Sequence, residues 1–146
     1  MKNKQSSLSR EQIDNVLSLY SNGHFQKAVE KIKELNATYP NVPLLFNLIG
    51  ACYKELGHLE GASKMFESAV NIKPDYAEAH FNLGAMYKIL GRDDAAIESY
   101  KKAIDISPDY PDAHNNLGTA LHDIGQLENA IESLEWAIAY KHDFAE

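Results

Sequence analysis

Along residues 81–91, FNLGAMYKILG, the apolar positions Leu83, Met86, Tyr87 and Leu90 recur three and four apart. That spacing predicts one face of an amphipathic helix, running over residues 77–90. Gly84 interrupts it, although glycine inside a helix costs roughly 1 kcal/mol relative to alanine. Gly91 is expected to end the helix in the left-handed conformation that glycine adopts readily. Asp93 and Asp94 then open a second helix, their carboxylates complementing its positive end. It runs to about Ile106 and stops before Pro108. Asp109 is the expected cap of the helix that follows. Asp75 is the expected cap of 77–90, with Glu78 completing a capping box.

The interruption recurs. Gly50, Gly84 and Gly118 are spaced by 34 residues, as are Gly23, Gly57, Gly91 and Gly125. Pro40, Pro74 and Pro108 keep the same interval, and so do Ala28, Ala62, Ala96 and Ala130. Tyr76, Tyr110 and Phe144 close the pattern. Independent series sharing one period mark a repeat array. Four units follow: 9–42, 43–76, 77–110 and 111–144, each two helices joined by a tight turn. Residues 1–8 read as a polar tail, and 145–146 as the start of a possible truncated further repeat. Within a unit the small residues Gly84, Ala96 and Ala103 let helices approach closely. Leu83, Tyr87, Ile97 and Tyr100 fill the space around those contacts.

Leu83-Gly84-x-x-Tyr87, Ala96-x-x-x-Tyr100 and Pro108 resemble the tetratricopeptide repeat (TPR), which has this period and pattern. The second unit offers Ile49-Gly50-x-x-Tyr53, Ala62-x-x-x-Phe66 and Pro74. The fourth departs at His142, where the others have proline, and the first places Val16 at the glycine position. The tryptophan-like position of the repeat holds Phe46, His80 and His114. The resemblance implies an all-α, right-handed α-solenoid of four helix-turn-helix units. It also implies a concave groove lined by the first helices, which binds an extended peptide or a partner helix. The groove candidates are Asn47 and Lys54; Glu78, Phe81, Asn82 and Lys88; and Asp112, Asn115, Asn116, Thr119, His122 and Asp123. The asparagines offer both donors and acceptors, as a peptide backbone requires.

Two subtypes can be weighed by residue. Chaperone-binding TPRs clamp a terminal carboxylate with Lys, Arg and Asn. Asn82 matches one such asparagine, but Asn47, Asp112 and Asn116 occupy the basic positions, so the clamp is rejected. The arms of O-linked N-acetylglucosamine transferases and of similar bacterial multidomain TPR proteins carry inward asparagines. Asn82 and Asn116 match that ladder, and Leu48 breaks it.

Charge narrows the partner. The 146 residues carry 21 acidic and 14 basic groups, a net charge of −7. Nucleic acid is not expected, because phosphate neutralisation needs clustered Lys and Arg. In the groove Glu55, Glu78, Asp112 and Asp123 outnumber Lys54 and Lys88, so a neutral to basic peptide is expected. No apolar run approaches the ~18 residues of a membrane span, so no membrane partner is expected. The polar N-terminus suggests no signal peptide, and the sequon Asn36-Ala37-Thr38 reads as chance. One cysteine, Cys52, excludes an internal disulfide and fits a reducing, cytoplasmic compartment.

No catalytic constellation emerges. His80, His114 and His122 read as helix-packing residues rather than metal ligands, since no HExxH pair exists and Cys52 has no cysteine partner. Asp93 and Asp94 read as helix-start residues, and Cys52 as a buried inert thiol. No GxSxG elbow or GxxxxGK loop is present. Neither enzyme activity, metal nor cofactor is expected.

The last helix, about 127–140, carries Leu127, Ile131, Leu134, Ile138 and Tyr140 with nothing after it to cover them. Trp136, whose counterparts are Glu34, Ser68 and Lys102, reads as outward. Residues 141–146 echo 73–78, where the chain enters another first helix. The expectation is a piece of a longer array, or self-association into a dimer through this helix. The primary reading is a protein-interaction scaffold. The alternatives are a substrate-docking arm of a larger transferase and a self-assembly module.

Overall fold

The computed structural model describes residues 7–125 and 127–144, with side chains omitted for 127–128 and 142–144. The chain divides into two compact units at Pro74/Asp75. The first holds α1 (Arg10–Ser21), α2 (Phe25–Thr38), α3 (Pro43–Glu55) and α4 (Leu59–Ile72). The second holds α5 (Ala77–Ile89), α6 (Asp93–Ile106), α7 (Pro111–Asp123) and α8 (Leu127–Phe144). Every described element is a helix.

In the first unit Val16, Val29, Ile32, Leu45, Ile49 and Cys52 form the core, and Leu8 packs against it. In the second, Ala96, Ile97, Tyr100, Leu117 and Leu121 do so, with Phe81 and Tyr87 at the margin. Gly91 follows the end of α5 at φ 76°, a left-handed turn that its equivalents Gly23, Gly57 and Gly125 repeat.

Gly84 has a concrete reason. A Cβ there would lie 2.8 Å from the Tyr100 ring of α6. At Gly50 it would meet Phe66 of α4 at 2.7 Å, and at Gly118 Leu134 of α8 at 2.7 Å. The glycine therefore admits a large side chain from its partner helix into the space a Cβ would fill.

Two expectations are corrected. Asp75 and Asp109 do not cap helices: the N-caps of α5 and α7 are Tyr76 and Tyr110, with no side-chain cap hydrogen bond. The carboxylates fall one residue too early, and Pro111, in the first turn of α7, has no N–H to offer. A capping box forms instead at α1, where Ser9 Oγ accepts from Gln12 N and Gln12 Oε1 accepts from Ser9 N. The last helix also continues past 140, to Phe144. Its counterparts α2, α4 and α6 stop at 14 residues, two residues before Pro40, Pro74 and Pro108. His142 removes that stop, since only proline lacks the N–H that continues a helix.

Candidate peptide-binding face

The second unit brings most of the candidates together on α5 and α7. Glu78, Asp112, Asn115, Thr119, His122 and Asp123 are exposed, whereas Phe81, Asn82, Lys88 and Asn116 are half-buried. In the first unit Lys54 is exposed at the end of α3, but Asn47 is withdrawn into the interior at 3% exposure.

Ala77, Glu78, Phe81 and Asn82 line a cleft of about 410 Å³. Its far wall is Ser107, Asp109 and Tyr110 from the α6–α7 connection. The Phe81 and Tyr110 rings lie 5.0 Å apart. Ser107 Oγ donates to Asp109 Oδ1 at 3.3 Å. Burial, together with the nearby carboxylates of Glu78 and Asp112, pushes the Tyr110 hydroxyl up to about 12. The cleft is thus aromatic along its sides and negative at its mouth. Tyr110, Ser107 and Asp109 are absent from the sequence-derived candidates. The recurrence of an aromatic at Tyr76 and Tyr110 was the available signal.

Lys88 is not a free cation. Its Nζ lies 2.6 Å from Asp123 Oδ2 and 3.1 Å from Asp93 Oδ1, which ties α5 to α7 and to the start of α6. The hydrogen bond to Asp123 is the main cause of the raised Lys88 pKa. Lys88, and next His122 with Nδ1 3.6 Å away, hold the Asp123 carboxyl below its ordinary value. Burial is the chief cause that raises the Tyr100 hydroxyl, and the nearby Asn116 side chain partly offsets it. Thr119 Oγ1 donates to the Asn115 carbonyl at 3.1 Å. Among the described candidates on α5 and α7, the exposed charges that form no ion pair are acidic: Glu78 and Asp112.

Two of the histidines and the cysteine are packed. His80 and His114 are 7% exposed, and His114 Nε2 lies 3.0 Å from the Pro108 carbonyl. Burial, and next Glu55, push the Cys52 thiol up to about 11, which keeps it protonated at neutral pH. Among the described residues no three His, Cys, Asp or Glu side chains are grouped to hold a metal.

On α8, Ile131 and Ile138 are exposed, at 57% and 70%. Leu134 instead points inward at Gly118. Trp136 is half-covered rather than outward, stacked on His114 at 4.3 Å and on Tyr140 at 3.6 Å. The Leu127 side chain lies outside the described residues.

The TPR repeat family model matches residues 50–91 and 84–125, more than half of the chain, and a tetratricopeptide repeat model matches 111–142. The chain belongs to the TPR family. Comparison with curated proteins finds no match. Among solved structures, a crystal structure of MamA is 22% identical, covering 92% of this chain and 78% of that one at a TM-score of 0.84. MamA residues 41 to the end from Desulfovibrio magneticus RS-1 are 22% identical, with coverage of 90% and 75% and a TM-score of 0.80. TTC0263, a thermophilic TPR protein of Thermus thermophilus, is 23% identical, with coverage of 90% and 78% and a TM-score of 0.71. These likenesses place the described helices in the all-α TPR solenoid class. TPR proteins serve as protein-interaction scaffolds and bind protein partners. No described helix is long and apolar enough to cross a membrane.

Proposed function

We propose that the α5/α7 face binds an extended protein segment, neutral to basic in character, and that a cationic side chain enters the cleft at Glu78, Phe81 and Tyr110. The observation that carries this reading is the pairing of charges. Lys88 is held by Asp93 and Asp123, which leaves Glu78 and Asp112 to set the sign of the face. Opposite charge favours encounter with a basic segment, and aromatic rings attract a cation. The lone buried thiol Cys52 suits a reducing, cytoplasmic setting. A peptide array followed by fluorescence anisotropy tests the reading. Basic ligands should predominate, and Glu78→Lys combined with Asp112→Lys should weaken them about tenfold or more at low salt. A screen that returns chiefly acidic ligands overturns it.

A second reading, self-association through α8, is favoured by the exposure of Ile131 and Ile138. Their equivalents Ile97 and Ile104 belong to the core packing of the second unit. Sedimentation of the chain beside an Ile131→Lys/Ile138→Lys variant decides it: a parent that stays monomeric at high concentration removes this reading.

A further inference from the structure

The first unit contains a cavity of about 240 Å³ between α2, α3 and α4, and the second one of about 290 Å³ between α6, α7 and α8. They occupy the same place in the repeat. Lys33, Asn36, Phe46, Ile49 and Met65 line the first. Lys101, Ile104, His114, Leu117 and Ser133, each two periods further along the chain, line the second.

The two are furnished differently. In the second unit the chain supplies its own indole: Trp136 lines the cavity and stacks on the His114 ring at 4.3 Å and 14°. In the first unit Phe46 replaces His114, and Ser68 stands where Trp136 would be. The Ser68 hydroxyl turns back to its own helix and donates to the Lys64 carbonyl at 3.0 Å. The second difference is polar. Ile104 is apolar, whereas its counterpart Asn36 carries an Oδ1 that is buried and accepts no hydrogen bond. Buried acceptors are nearly always satisfied, so one that is not, beside a cavity, points to a donor from outside the chain.

We propose that the α2/α3/α4 cavity is a binding site for a planar aromatic ring carrying one N–H donor, an indole. The ring lies over Phe46 as Trp136 lies over His114, and its N–H donates to Asn36 Oδ1. Ile49, Tyr53 and Met65 shield that hydrogen bond from water, which strengthens it. The size limits the ligand: drug-sized sites run to roughly 300–1,000 Å³, so this one takes a single ring system. An indole reaches it either as a free compound or as the tryptophan side chain of a bound protein. The site lies in the first unit and does not depend on the reading of the α5/α7 face.

Calorimetric titration of the full chain tests this with four probes: indole, 1-methylindole, a short tryptophan-containing peptide and its phenylalanine counterpart. Indole should bind one per chain and 1-methylindole about tenfold or more weaker, because methylation removes the donor that Asn36 needs. Asn36→Ile installs the residue that the second unit carries at this position and should erase that discrimination. Ser68→Trp gives the first unit its own indole and should block the cavity. Preference for the tryptophan peptide over the phenylalanine peptide supports a protein side chain as the occupant, and binding of indole without the peptide supports a free ring compound. Absence of binding by indole and by the tryptophan peptide overturns the proposal. So does equal affinity for indole and 1-methylindole, or indole binding to folded Asn36→Ile or Ser68→Trp at the parent's strength.

Discussion

In the α5/α6 pair the first helix gives up its side chain at Gly84 and the second fills the space with Tyr100, which is 2% exposed. In the α1/α2 pair the same positions hold Val16 and Ile32, each 1% exposed and both in one core. One pair closes its gap with nothing and a ring, the other with two branched aliphatics. The period therefore fixes a space shared by two positions rather than a residue at either one. Volume-conserving exchanges are what close-packed cores tolerate best. The glycine's helix-propensity cost is recovered only while the ring opposite it is present. The first pair avoids that dependence.

The dependence sets the scale of the expected effects. Tyr100→Ala removes the ring and leaves glycine opposite alanine, a void where the ring stood. It should cost about 3–5 kcal/mol, as large aromatic truncations in cores do. Urea titration measures it, and a loss below about 1 kcal/mol would break the comparison. Gly84→Leu keeps the ring and forces a side chain against it; overpacking of this kind costs about 1–3 kcal/mol. A variant that melts with the parent would show that the ring yields freely. The sharper experiment moves the second unit's solution into the first. Val16→Gly and Ile32→Tyr should each destabilise singly and do less harm together. Contacting residues couple by about 0.5–3 kcal/mol. Additive losses would mean that the two positions do not share one space.

Helix periodicity made the pair architecture legible. The boundaries of α5 and α6 follow from Leu83, Tyr87, Ile97 and Tyr100, and the left-handed Gly91 from its place at the turn. Gly84 was legible as a close contact, but not as a seat for one ring. A periodic pattern gives the face a residue occupies, not which neighbour reaches it. Half-buried positions were least legible for the same reason. Trp136 has polar counterparts in every other unit, yet it stacks on His114, since a large ring can lie flat against a neighbouring ring where Ser68 bonds back to its own helix. Asn47 belongs to the asparagine group by sequence, but the structure places it inside. Lys88 read as a groove cation, and two carboxylates from other helices claim it. Such pairings depend on distances between elements, which spacing along one helix does not carry.

That lysine extends the comparison to charge. Two periods before Lys88 and Asp123 stand Tyr20 and Glu55, and the Glu55 carboxylate, after burial, helps raise the Tyr20 hydroxyl above its ordinary value. The first unit thus sets a phenol of α1 near a carboxylate of α3 where the second joins α5 to α7 with an ion pair. The pH windows of the two differ. The Tyr20 hydroxyl is raised above 10.0 chiefly by burial and then by Glu55, so the stability it contributes is present below 10.0 and lost as pH rises through the raised value. Lys88 behaves the same way above 10.5. Asp123 is lowered, so its contribution is present above 3.8 and lost as pH falls through the lowered value. Asp123→Asn should therefore be slightly less stable than the parent near about pH 6, and the gap should close in acid as the parent's carboxyl takes up its proton. Molar salt should narrow the same gap at neutral pH, because exposed ion pairs are screened. Thermal melts of both proteins across the acid range provide the measurement. A gap that stays constant from about pH 6 into strong acid would mean that Asp123 acts through its shape or hydrogen bonds rather than its charge. The contrast in charge between the two pairs would then disappear.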